Sequence, residues 1–148
     1  MDIVLGVDEY RTARSPDNLH SGGLGPCVAV GAVYRDKGYM SHDYSMSTLP
    51  KLTQLVMDLH REVKIGSELK IFVAGGGIDS SMIEGADGIL KTRQDVLNQL
   101  ANFSGNVHVM WSYGNITQSL EIRVGERKAV YTTIEDVTGE EGENIFDM

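Results

Sequence analysis

The chain has 148 residues with 41% hydrophobic content, 17 glycines, one cysteine and a formal net charge of −8. That length suits one domain with one core, and a lone cysteine rules out a disulfide-stapled secreted scaffold and fits a reducing, cytoplasmic setting. An acidic balance without a Lys/Arg cluster argues against nucleic acid, whose phosphates need a cationic surface, while the lack of an apolar run of about 18 residues argues against membrane insertion.

Asp2 to Val7 alternates weakly and reads as a first strand, and Thr12 to Asn18 reads as a loop by its turn residues. The run Leu19-His20-Ser21-Gly22-Gly23-Leu24-Gly25-Pro26-Cys27 follows. Its glycines let a backbone or a substrate come close to the sulfur of Cys27. Cys27 to Tyr34 has bulky residues at even positions and small ones at most odd positions, a period of two that predicts a buried strand. Asp36-Lys37-Gly38 reads as a turn, and Tyr39 to Met46 as the returning strand.

From Thr48 the period changes. Leu52, Leu55, Val56, Leu59 and Val63 share one helical face, with Pro50 suited to the first turn. Leu69 to Ala74 is a strand leading into Gly75-Gly76-Gly77. That triple glycine lacks the Lys-Ser/Thr ending of a phosphate loop and reads as a tight turn with close backbone approach. A second helix is expected to start near Thr92, with Asp95 three residues on and Val96, Leu97, Leu100 and Phe103 facing the core. Val107 to Trp111, Ser119 to Val124 and Arg127 to Thr133 complete the strands, the last two joined at Gly125-Glu126. Strands and two helices out of strict alternation predict an α+β fold with a mixed sheet. Residues 1–134 are expected to form the domain. Residues 135–148 are expected to be an acidic, solvated or frayed tail in which Ile145-Phe146 could dock on a partner.

A lone thiol packs or reacts. His42, fifteen residues after Cys27, is a candidate base; His20 competes because it adjoins Ser21, whereas His60 and His108 read as surface or core histidines. Asp43 points to the opposite face from His42 in a strand. Trp111, Tyr113 and Asn115 could wall a substrate groove or simply pack as an aromatic cluster. One Cys and scattered His give no zinc-site spacing, so no metal is expected. A regular hairpin about Lys37 would pair His42 with Ala32, leaving it roughly 17 Å along the sheet from Cys27.

The cysteine region resembles the CheD-type chemoreceptor glutamine deamidases. The resemblance is carried by Leu19, Ser21, Gly23-Leu24-Gly25-Pro26-Cys27-Val28 and Tyr39-Met40-Ser41-His42, with Ser21 where that family has Thr and Pro26 where it has Ser. It implies a layered α/β/β sandwich in the broader cysteine hydrolase group that includes glutamine-deamidating bacterial toxins. It also implies Cys27 as nucleophile, His42 as base and then acid, and Ser21 as the hydroxyl that orients the imidazole. Main-chain N–H groups near Gly25 and Cys27 could hold the oxyanion, Pro26 having none to give. The implied reaction is Cys-dependent hydrolysis of a glutamine side chain to glutamate through a thioester, with no cofactor. A chemoreceptor or related signalling protein is the implied substrate and a chemotaxis regulatory protein a further partner. A catalytically weak binding module of the same fold, regulating a chemotaxis-type partner, is the alternative.

Overall fold

A computed structural model describes residues 1–78, 86–113 and 116–148. Its elements are β1 (Asp2–Val4), β2 (Glu9–Arg14), β3 (Asn18–His20), β4 (Val28–Tyr34), β5 (Lys37–Asp43), α1 (Pro50–Glu62), β6 (Leu69–Ile78), α2 (Ala86–Gln99), β7 (Val107–Tyr113), β8 (Ile116–Arg123), β9 (Lys128–Glu135) and β10 (Glu141–Asp147). The strands form two five-stranded sheets, β1-β3-β8-β9-β10 and β2-β5-β4-β6-β7. Both are mixed: β1 runs parallel to β3 and β6 parallel to β7, and the other pairs are antiparallel.

The second sheet is the middle layer. Its β4 is buried along its whole length, and its two faces serve two cores. Ala29 and Val33 of β4, Met40 of β5 and Phe72 of β6 pack against Leu19, Leu120, Ile122 and Tyr131 of the other sheet. Val30, Ala32 and Tyr34 of β4, with Ile71 and Val73 of β6, pack against Leu52, Leu55 and Leu59 of α1 and Val96 of α2. The order of layers is helix, sheet, sheet: an α+β sandwich, as the resemblance implies.

The small residues of the middle layer follow from that double burial. A Cβ on Gly31 would lie 2.7 Å from Ile122 Cγ1, and one on Gly38 would lie 2.7 Å from Val124 Cγ2. Gly38 is therefore a packing residue inside β5. The turn falls earlier, at Arg35-Asp36, with Arg35 in the left-handed region (φ 57°), and Tyr34 pairs with Lys37.

Three other expectations change. Glu9–Arg14 is a strand, paired along its length with β5. Thr92 lies inside α2, where its hydroxyl donates to the Gly88 carbonyl and accepts from the Met46 N–H; Leu97 is exposed. Residues 141–147 of the acidic tail form β10 on the edge of the first sheet. Phe146 turns inward there against His108 and Tyr131 instead of outward to a partner, while Ile145 is exposed.

Helix α1 begins where periodicity predicts. Its cap is tertiary: Leu49 at the N-cap makes no side-chain bond, and the carboxylate of Asp43, at the end of β5, accepts from the N–H groups of Lys51 (3.0 Å) and Leu52 (2.9 Å). A carboxylate there also meets the positive end of the helix dipole. Asp43 thus points away from the face that carries His42. No helix among the described residues is long and apolar enough to cross a membrane.

Candidate functional site

The cysteine run crosses from one sheet to the other and is tied to both. Leu24 exchanges main-chain bonds with Gln118 of β8, while the Gly25 and Cys27 carbonyls accept from the Gly77 and Gly76 N–H groups at the end of β6. Approach this close demands glycine. A Cβ on Gly75, whose φ is +91°, would sit 2.0 Å from the Cys27 carbonyl oxygen. The buried Gln118 side chain braces the same glycine, its Oε1 accepting from the Gly75 N–H at 2.7 Å and its amide donating to the Met110 carbonyl at 3.0 Å.

The two-residue turn sets where His42 lies. It pairs with Ala29, and Asp43 pairs with Val28, so the cross-strand partner of His42 is two residues from Cys27, which immediately precedes β4 and packs against the same core between the sheets as Ala29. The separation expected from a turn about Lys37 does not occur, because the register is three residues shorter. Cys27 packs at the margin of the core between the sheets, half-buried and unpaired.

Burial dominates the electrostatics. It pushes the Cys27 thiol up; the main-chain N–H groups of Ser45 and of Cys27 itself oppose this by favouring the thiolate, and nearby Asp43 adds to the rise. Burial pushes the His42 imidazole down, against the pull of the Leu5 and Ser21 carbonyls and of Asp43 and Glu9. His42 is 3% exposed. The two carbonyls face the ring, yet neither ring nitrogen has a partner in hydrogen-bonding geometry. Both shifts favour the uncharged form of the group concerned.

Ser21 is fully buried, but its hydroxyl is engaged elsewhere, donating to the Gly22 carbonyl (2.7 Å) and accepting from the Leu120 N–H (2.9 Å). The orienting role that the resemblance gives to that hydroxyl is not what this geometry offers; only the Ser21 carbonyl faces the imidazole. The rival base, His20, is turned onto its own loop, where Nδ1 accepts from the Gly22 N–H at 2.9 Å.

Gly25 borders open space, with nothing within 4 Å of where a Cβ would be. The Pro26 carbonyl accepts from the Ser45 hydroxyl. Ser45 belongs to the 44–49 loop, whose Tyr44 and Met46 are exposed. The N–H groups against the sulfur thus come from Cys27 and Ser45. Tyr113 is 72% exposed at the end of β7, and Trp111 lies under the Arg93 guanidinium, 5.3 Å from it, on the helix side of the sheet. They stand at the same end of the strands as Cys27 but on the other face, without contact between them and the thiol. Asn115 lies outside the described residues.

His60 stacks on Phe103 and His108 on Phe146, in keeping with packing roles. Ser45, Gln118 and the Leu5 carbonyl carry no sequence signal for a site. Main-chain groups have no residue signature, and Gln118 becomes meaningful only once β8 lies behind β6. Among the described residues no cluster of His, Cys, Asp or Glu could hold a metal ion.

No family model matches this chain, and no curated protein matches its sequence. Among solved structures it is similar to the C-terminal domain of CNFy from Yersinia pseudotuberculosis, at 10% sequence identity and a TM-score of 0.44. The match covers 88% of this chain and 53% of that one, so the chain spans about half the length of its structural neighbour.

Proposed function

We propose that the protein is a cysteine amidohydrolase that converts a glutamine side chain of another protein to glutamate. The observation that supports this reading is the pairing of His42 with Ala29, which sets the cross-strand partner of a buried imidazole two residues from Cys27. As Cys27 attacks the amide carbon, His42 takes the thiol proton. The N–H groups of Cys27 and Ser45 then stabilise negative charge, first on sulfur and next on the carbonyl oxygen as it becomes an oxyanion. His42 returns the proton to the leaving nitrogen, the C–N bond breaks and ammonia departs. Water, deprotonated by His42, opens the thioester to glutamate and regenerates the thiol. The Ser21 and Leu5 carbonyls favour the imidazolium that forms between these steps. Open space at Gly25 admits the substrate segment, with Pro26 on its border and Tyr113 at the same end of the strands.

The resemblance of the Ser21–Cys27 run and of His42 to CheD-type deamidases supports glutamine as the substrate group, and a cytoplasmic chemoreceptor or related signalling protein as its bearer. A thiol whose pKa is pushed up favours a second reading, a binding module with weak catalysis that acts on a chemotaxis-type partner. Mass spectrometry of a glutamine-bearing partner separates the two. A gain of one dalton that requires Cys27 and His42 supports the hydrolase; partner binding that survives Cys27→Ala without any mass gain supports the module.

A further inference from the structure

Arg93 has no carboxylate partner among the described residues. Its Nε and Nη2 donate to the Gly76 carbonyl (2.8 and 2.6 Å), and Nη2 also donates to the Ser112 carbonyl at 3.0 Å. Its Cζ lies 5.3 Å from the Trp111 ring centroid, a cation–π contact. Among the described residues the Nη1 group has no partner and no carboxylate lies within salt-bridge reach. Arg11, Arg14, Arg35, Arg61 and Arg123 each have a carboxylate partner, while Arg127 donates to the Arg35 carbonyl. Burial alone moves Arg93, lowering its pKa. A guanidinium that is partly removed from water and held rigidly by two carbonyls and an indole, but left without a counter-charge, is prepared for an external one.

Its place is equally specific. The Gly76 N–H holds the Cys27 carbonyl at 2.9 Å, and the Gly76 carbonyl holds Arg93. One residue and two hydrogen bonds therefore separate the guanidinium, on the helix side of the sheet, from the Cys27 carbonyl, a span of roughly 9 Å, or two to three residues of extended peptide, and a substrate joining the two would pass round the strand ends to the thiol on the other face. Of the glycines at those strand ends, Gly25 borders open space, whereas Gly76 and Gly77 are packed against Trp111 and Ser112. The net charge of −8 repels anions at long range, so preference for an anion here must be local.

We propose that Arg93 anchors the carboxylate of an Asp or Glu lying two or three residues from the target glutamine, making an acidic flank the specificity element of the substrate. This rests on the hydrolase reading for the identity of the glutamine, but not on turnover. The test is binding of fluorescent peptides to the Cys27→Ala protein by anisotropy, using pairs that differ only in Asp or Asn at those flanking positions. The Asp peptides are expected to bind about tenfold tighter at low salt, with the advantage shrinking as salt rises. Arg93→Gln abolishes it and Arg93→Lys keeps part of it. Equal affinity for the Asp and Asn peptides, a preference that survives Arg93→Gln, or no binding of either at millimolar concentration overturns the proposal. If Arg93→Gln does not fold, the comparison within the Cys27→Ala protein decides alone. Mass gain with the wild-type protein is scored separately, so failure of the hydrolase reading would show as peptides that bind by their acidic flank and are never deamidated.

Discussion

Replacing His42 by leucine should make the protein more stable while abolishing hydrolysis. The ring is 3% exposed and neither nitrogen is in hydrogen-bonding geometry. A buried polar group left unsatisfied costs about 1–3 kcal/mol, whereas an apolar swap of similar volume costs less than about 1.5 kcal/mol in packing. The balance at pH 7.5 is a gain of about 1 kcal/mol, or about 3 °C in Tm for a chain of this size. The gain should widen on acidification. Because burial lowers the native pKa of His42, the unfolded chain takes up a proton below pH 6.5 that the folded ring refuses. Wild-type stability therefore falls as pH drops from 6.5 towards the native pKa, by at most about 1.4 kcal/mol per pH unit, and His42→Leu loses this dependence. Asp43, whose native pKa is raised by burial, acts with the opposite sign, its contribution being lost as pH rises from its ordinary value of 3.8. Urea titrations of both proteins at pH 7.5 and 5.5 measure the difference. A variant more than 1 kcal/mol less stable than wild type at pH 7.5 would refute the argument, since the ring would then be bonded to the Leu5 or Ser21 carbonyl and needed by the core.

Alkylation of Cys27 by iodoacetamide should be slow at pH 6.5 and climb with pH through 8 and beyond, because burial raises the thiol pKa; a rate already at its plateau below pH 7 would mean an ion-paired thiolate instead. Asp43→Ala removes two charge-assisted bonds to the start of α1 and should cost about 2–3 kcal/mol by chemical denaturation, with Asp43→Asn losing roughly half as much. Gly75→Ala forces a Cβ against the Cys27 carbonyl at a positive φ, so a loss of more than about 2 kcal/mol is expected together with a changed alkylation rate at Cys27. An unchanged rate would show that the sulfur is indifferent to its glycine clamp.

How far the sequence discloses this molecule depends on whether a residue's role is local. The face of Leu52, Leu55 and Leu59 is a local pattern, and α1 lies where it predicts. The buried strand after Cys27 is equally plain, since a strand covered on both sides alternates large and small residues. Gly38 misleads because its glycine serves contact with Val124 of the other sheet. Reading it as a turn moves the hairpin and, with it, His42. The strand Glu9–Arg14 is hidden because its outer face is polar and its order comes from pairing with β5. Cys27 and His42 can be picked out as residues. Their relative placement cannot, because it depends on register, and the hydroxyl of Ser21 is claimed by the main chain of Leu120, 99 positions away.

The last strand has a consequence for how the chain behaves among its own copies. Without β10, the edge of the first sheet would be β9, whose run Ala129-Val130-Tyr131-Thr132-Thr133-Ile134 combines high β-propensity with no charge, the composition that recruits further strands. β10 occupies that edge and replaces it with one bearing Glu141, Glu143 and Asp147. Like charges there oppose the approach of an identical edge. The acidic tail thus puts a charged edge where an apolar one would be, and Phe146, against Tyr131, anchors it there.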